Sequence, residues 1–277
     1  MIKVGEIQPN LHGLVHAWGL NDLQLLILRK MVMSGQLYSY ENFKQLYFEL
    51  KLRQNLVSSG AALSRSGAAF AVFRDSRCNE YFWTRTDNGG FLLKPHVTTA
   101  QGIHDIFVNG HLYAFECTSA IMIVCYYAIL QSIDEATFNR LFPNLFIWNG
   151  YYDEDLALAK QPISAGLPGD IRYFKNPDHS PTNPEWQGEN AVYLGNGAFF
   201  AHGIGIAPAQ IIIQALNSKR RPGALQSAYL MNEAFFPNFK YLAQYDKEVV
   251  PTPNMRSTFS SLPLVIATVG SSTYIGM

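Results

Sequence analysis

The sequence is poor in the features that assign a partner by themselves. Acidic and basic side chains cancel at 21 each, so no net field draws the chain to nucleic acid, to an anionic membrane or to a strongly charged substrate. Cysteine is scarce: Cys78, Cys117 and Cys125 are odd in number and have no zinc-like spacing. A disulfide framework and a structural metal are therefore not expected, nor is any cofactor, and a reducing cytoplasm fits best. Met1 to Asn10 lacks the basic head and apolar run of a signal peptide. The longest apolar run, Ala120 to Leu130, has 11 residues. A bilayer needs ~20, so this run reads as a buried helix.

Apolar material, by contrast, is plentiful. Of 277 residues 48% are hydrophobic, enough for one large core or two unequal lobes. Asn21 to Met33 starts with capping residues and has helical spacing, and Tyr40 to Val57 carries Phe43, Leu46, Tyr47 and Leu50 along one stripe. Ala68 to Arg74 and Tyr81 to Arg85 read as short strands, and Asn88-Gly89-Gly90 as a turn. A helix is expected over 117–133 and a short one from Asp134, with Pro143 near its end. From Phe146 to Asn183 loops dominate, with strand candidates at 145–148 and 170–174. Asn190 to Leu194 and Ala198 to His202 flank Gly195-Asn196-Gly197, a hairpin signal. Pro208 opens a helix to Asn217. Beyond Phe236 the composition shifts to Pro, Ser and Thr, so a domain over 1–236 and an extension over 237–277 are expected, with an added strand at 262–269.

Cys117 begins the apolar helix, where free amide groups and the positive dipole end stabilise a thiolate. Position leaves two readings open, a nucleophile or a small buried hydrophobe, the latter being the reading for Cys125. Glu116 opposes thiolate formation, because an adjacent anion raises a thiol's pKa. The hairpin supplies candidate bases. If its loop is the four residues Leu194 to Gly197, Glu189 lies opposite His202, and a Cys, Glu and His so gathered make a cysteine acyl-transfer site. A strand-edge charge and a satisfied half-buried histidine are the plainer alternatives.

Several words go further. Phe48-Glu49-Leu50-Lys51-Leu52-Arg53, Tyr113-Ala114-Phe115-Glu116-Cys117, Tyr173-Phe174-Lys175-Asn176-Pro177, Gly188-Glu189-Asn190, Ala201-His202-Gly203 and Gly223-Ala224-Leu225-Gln226-Ser227-Ala228-Tyr229 occur in that order. Together they resemble the Bacillus-type spore-coat transglutaminases over roughly residues 10 to 235. The resemblance implies an α+β fold with a papain-like or cell-wall-peptidase-like core, a central antiparallel sheet with helices around it and the nucleophile at a helix N-terminus. It implies a calcium-independent acyltransferase that joins glutamine to lysine side chains of coat proteins, acting in the sporulating mother cell. Carried over by position, Cys117 is the nucleophile, Glu189 its principal carboxylate partner, Glu116 a second carboxylate and His202 an assisting histidine. Trp148 and Trp186 fall where the family has tryptophans near the site. They join Phe70 and Tyr113 as candidates for an aromatic wall that keeps water from a thioester.

Two other readings stand beside this one: a cysteine peptidase or amidase on the same scaffold, and a non-catalytic coat structural protein. Weaker signals are set aside. His12 and His16 are one helical turn apart, but Gly13 lies between them and no carboxylate completes a metal set. Asp153-Glu154-Asp155 lacks the calcium-loop pattern, and Gly203-Ile204-Gly205 lacks the third glycine of a dinucleotide fingerprint. Lys219-Arg220-Arg221 reads as a solvated helix end.

Overall fold

A computed structural model of the chain describes residues 1–163, 166–253, 265–269 and 272–276. Three helices come first: α1 (Leu11–Trp18), α2 (Asp22–Met33) and α3 (Phe43–Leu63). Each is capped by an asparagine, Asn10, Asn21 or Asn42, whose side chain accepts a first-turn amide that would otherwise lack a partner. The expected helix end at Val57 is overrun to Leu63, past Ser58, Ser59 and Gly60. Gly60 packs against the sheet: a Cβ there would sit in ordinary contact, 3.4–3.5 Å from Phe200, Leu194 and Val192. Tertiary packing overrides the weak helix propensity of these residues.

Two further helices, α4 (Thr99–Val108) and α5 (Cys117–Leu130), lie against each other, and α6 (Glu135–Leu141) follows. Because α5 is apolar on every side it cannot present a face to water. It is instead enclosed by α3, α4 and the sheet, with Ala120, Ile121, Ile123, Val124 and Cys125 essentially inaccessible.

The sheet has six strands: β1 (Ala159–Pro162), β2 (Ile171–Lys175), β3 (Gly188–Gly195), β4 (Ala198–Ala201), β5 (Gly205–Pro208) and β6 (Tyr229–Phe236). Their spatial order is β5-β4-β3-β2-β6-β1, and every neighbouring pair is antiparallel. Ile171, Val192 and Phe200 join the large core that includes α3 and α5. Phe174, Ala191, Phe199 and Ala201 pack in a separate cluster with Ile212 and Leu216 of the helix Ala209–Asn217. The expected α+β architecture, a central antiparallel sheet with helices around it, is therefore present. The strand candidates before α4 shrink to Ala69–Phe70 and Trp83–Arg85, while β1, β5 and β6 were not legible as strands.

The hairpin differs from expectation by one residue. Asn196 and Gly197 form a two-residue loop with positive φ at both positions, 49° and 78°, so Gly195 faces Ala198. A bulge between Tyr193 and Gly195 then brings Tyr193 opposite Phe199 and Ala191 opposite Ala201. Continuing that count sets Asn190, not Glu189, across from His202.

The boundary expected at residue 236 falls inside the packed body. Phe239 and Leu242 are buried in the main core, Lys51 Nζ lies 2.9 Å from Glu248 and 3.3 Å from Asp246, and Trp18 Nε1 donates to the Pro251 carbonyl at 2.8 Å. Of the strand expected at 262–269, residues 262–264 lie outside the described residues; Val265–Val269 pairs antiparallel with Ser272–Gly276 in a separate two-stranded hairpin.

Candidate active site

The turn into α5 is built by the strand Ala114–Phe115, which runs parallel to Ala69–Phe70, and by Glu116. Glu116 is the N-cap: its carboxylate accepts the Thr118 N–H at 2.5 Å and the Ser119 N–H at 2.6 Å, and the Ala120 N–H bonds the Glu116 carbonyl. Among the described residues the Cys117 N–H is left without a partner, so it is available to an oxygen anion near the sulfur. The apparent misfit of an anion beside the thiol thus has a structural reason, since a carboxylate is a strong cap at the positive end of a helix.

Cys117 forms part of the wall of a cleft of about 310 Å³. Its lining includes Phe70, Val72, Phe73, Asn149 and Tyr173, together with Pro184, Glu185, Gln187 and Gly188. The Asn190 main-chain N–H and the Thr118 hydroxyl both favour negative charge on the sulfur; Thr118 Oγ1 is 4.0 Å from Sγ and accepts from Asn190 Nδ2 at 3.3 Å. Neither Asn190, Thr118 nor Tyr173 was singled out from sequence. Their only signal was adjacency to Glu189 and Cys117, or membership of the Tyr173-Phe174-Lys175 word.

Glu189 is 3% exposed, and Glu116, Cys117 and His202 are also buried. Burial and the nearby Glu116 push the Glu189 carboxyl well above the usual range, partly offset by the His202 main-chain N–H and the Cys117 thiol. Its Oε1 has no hydrogen-bond partner among the described residues. Burial, Glu189 and Glu116 push the Cys117 thiol up to about 12, against the pull of the helix end and of Asn190 and Thr118. Desolvation with two carboxylates thus outweighs the helix terminus, whose stabilisation of an anion is typically about 0.3–1 kcal/mol.

The histidine departs further from expectation. Its Nε2 lies 3.1 Å from the Ala69 carbonyl, its ring stacks on Phe115 at 4.8 Å, and burial pushes its pKa down to about 4. His202 is thus neutral at pH 7, with its ring tied to the Ala69–Phe70 and Ala114–Phe115 strands, and it reaches the centre through its backbone, which favours the Glu189 anion. A thiol and a carboxyl, both buried and both raised, thus lie together at the start of α5.

Of the four rings expected to wall the site, Phe70 lines the cleft, and Phe73 lines it too. Trp186 buttresses Phe70 at 5.8 Å and Trp148 packs 6.1 Å from Phe73, so the phenylalanines face the cleft and the tryptophans stand behind them. Tyr113 is fully buried, its hydroxyl donating to Asp105 at 2.5 Å, and belongs to the core.

Residues 1–246 match the family described as protein-glutamine gamma-glutamyltransferase. The chain belongs to that family. Among relatives so named, a Bacillus mycoides protein is 39% identical and a Bacillus cereus protein 38% identical, each alignment covering 99% of this chain and 100% of the relative. The structure of a transglutaminase from Geobacillus stearothermophilus, without its C-terminal extension, superposes with a TM-score of 0.72 at 50% identity, covering 75% of this chain and 100% of that one. The full-length alignments mean that residues beyond 236 are shared with the Bacillus transglutaminases. As a transglutaminase the enzyme acts on protein-bound glutamine and on amines. Among the described residues no helix is long and apolar enough to cross a membrane, and no three His, Cys, Asp or Glu side chains gather as a metal site.

Proposed function

We propose that Cys117 carries the glutamyl group and that Glu189 moves the protons. Glu189 takes the thiol proton as sulfur attacks the glutamine carboxamide carbon, and the Cys117 N–H stabilises the oxyanion. Collapse of the tetrahedral intermediate returns the proton to the leaving nitrogen, so ammonia departs and a thioester remains. A lysine amine then gives its proton to Glu189 and attacks the thioester carbonyl; the C–S bond breaks, the thiolate recovers its proton, and an isopeptide bond has replaced the amide.

The observation that carries this reading is the buried Glu189 carboxylate, one oxygen of which has no partner among the described residues, hydrogen-bonded to the Cys117 thiol that lines the cleft. A thiol at about 12 is a poor nucleophile on its own, so a base within reach is required at neutral pH. Glu116 supports the cycle through charge and cap, and His202 by holding Glu189. Trp148 and Trp186 hold the wall that shields the thioester from water. The reaction needs no calcium, and the substrates are coat proteins cross-linked in the mother cell during sporulation.

The test is calcium-free incubation with a glutamine-bearing protein and a fluorescent primary amine. Ammonia release matched by amine incorporation is expected, together with loss of both in Cys117→Ala. Ammonia release without incorporation would assign a hydrolase, and a Cys117→Ala variant that still cross-links would remove the cysteine from the mechanism.

A further inference from the structure

The two substrates of the cleft differ in charge. A glutamine carboxamide is neutral, whereas a lysine side chain arrives as an ammonium and must lose its proton inside. The lining contains two charged side chains, Glu116 and Glu185, and no lysine, arginine or histidine. Glu116 is committed to the Thr118 and Ser119 amides. Glu185 is half-buried, and among the described residues its carboxylate makes neither an ion pair nor a hydrogen bond.

Its placement is firm. Pro184–Trp186 forms a short 3-10 turn, the Asn176 side chain donates to the Trp186 carbonyl at 2.9 Å, the Asn176 N–H donates to the Gln187 carbonyl at 2.9 Å, and the Trp186 ring rests on Phe70. The same segment runs directly into β3, which carries Glu189. Tyr173 and Gly188 line the cleft with Glu185, Tyr173 is near enough to Cys117 and Glu189 to feel their charge, and its hydroxyl lies so close over Gly188 that a Cβ there would meet it at 2.1 Å. A glycine is what leaves room for that ring beside an entering chain.

We infer that Glu185 is a specificity-determining residue for the amine substrate, recruiting the lysine ammonium at the Pro184–Gly188 side of the cleft and passing its stem along Tyr173 toward Glu189. This rests on the reading of Cys117 as acyl carrier and Glu189 as base. The outer carboxylate attracts the cation, the four-carbon stem packs on the ring, and the inner carboxylate takes the proton. The neutral glutamine gains nothing from Glu185.

The experiment compares the full-length enzyme with Glu185→Gln and Glu185→Lys, using one glutamine substrate and two acceptors: a lysine peptide, and hydroxylamine, which is uncharged at neutral pH. At low ionic strength Glu185→Gln raises the KM for the lysine peptide about three- to fivefold, as loss of one partly exposed charge pair predicts, and Glu185→Lys raises it further. In high salt the difference shrinks, while kcat, the glutamine KM and the hydroxylamine KM stay at the wild-type values. Equal changes for both acceptors, or no change for the lysine peptide, would overturn the inference. Because these ratios are measured on active enzyme, they are independent of Cys117→Ala, whose retained cross-linking would instead overturn the reading beneath.

Discussion

Two buried centres in this protein each hold a pair of carboxylates, and they are resolved in opposite ways. On α3, Arg53 Nε lies 2.8 Å from Glu49, one turn away, and its Nη1 lies 2.7 Å from Asp170. The Tyr40 hydroxyl donates to Glu49, the Leu167 N–H donates to Asp170, and the guanidinium covers the Phe239 ring at 4.7 Å. Burial by itself weakens the guanidinium's charge, but Asp170 and Glu49 outweigh it and hold its pKa above the ordinary value. At the head of α5, Glu116 and Glu189 flank a thiol, and among the described residues no cation pairs with them and one oxygen of Glu189 has no partner. The first centre is satisfied and joins α3 to the sheet. The second is left short of positive charge, the condition under which protons bind tightly and can be exchanged with a substrate.

The largest effects should separate the centres. Glu189→Gln is expected to lower transamidation by about 10² to 10⁴ through loss of the base. The same variant should melt above wild type at neutral pH. A carboxyl whose pKa is raised on folding stabilises the protein below its unfolded pKa and loses that contribution as pH rises through the folded value, and the amide escapes the loss. Melting curves and initial rates on one preparation check both signs.

Arg53→Met should do the reverse, costing about 3–5 kcal/mol in denaturant unfolding because two buried carboxylates lose their cation. Folded protein retained at low temperature should keep its glutamine KM. A variant as stable as wild type would mean that the Arg53 centre is no more than a spectator.

His202 provides an intermediate effect. Its pKa falls from 6.5 to about 4 on folding. The unfolded chain therefore takes up a proton that the folded one refuses, and stability is lost as pH falls from 6.5 toward 4, by about 3 kcal/mol in all. Urea unfolding of His202→Gln across that window should lack this loss.

Glu116→Gln should have the smallest effect on stability, about 1 kcal/mol, since the amide oxygen still caps the helix but without charge. Removing the anion lowers the Glu189 carboxyl pKa, so the acidic limb of the rate profile should move to lower pH. A limb that does not move would show that the two carboxylates are not coupled in catalysis.

The expectations that survived are those that local chemistry sets. Asn21 as a cap, the apolar helix opening at Cys117 and a hairpin at Gly195-Asn196-Gly197 were each legible, because caps, positive-φ turns and apolar periodicity act over a few residues, whereas the antiparallel sheet was implied by the family resemblance alone. The misses share a different cause. Loop chemistry over 146–183 concealed β1, the Ser and Gly residues at 58–60 suggested a helix end where packing on Val192 and Phe200 sustains the helix, and one bulged residue shifted the hairpin ladder.

The site shows the same division. The sequence by itself determined that a cysteine would open a buried helix, that a glutamate would precede it, and that Glu189 and His202 would flank one hairpin. Only the tertiary structure decided that Glu116 caps the helix, that the His202 ring turns to the Ala69 carbonyl, and that Cys117 and Glu189 lie together in a buried pocket. A side chain's protonation depends on how much water and which charges surround it, and those surroundings are assembled from segments as far apart in the chain as Ala69, Cys117 and His202.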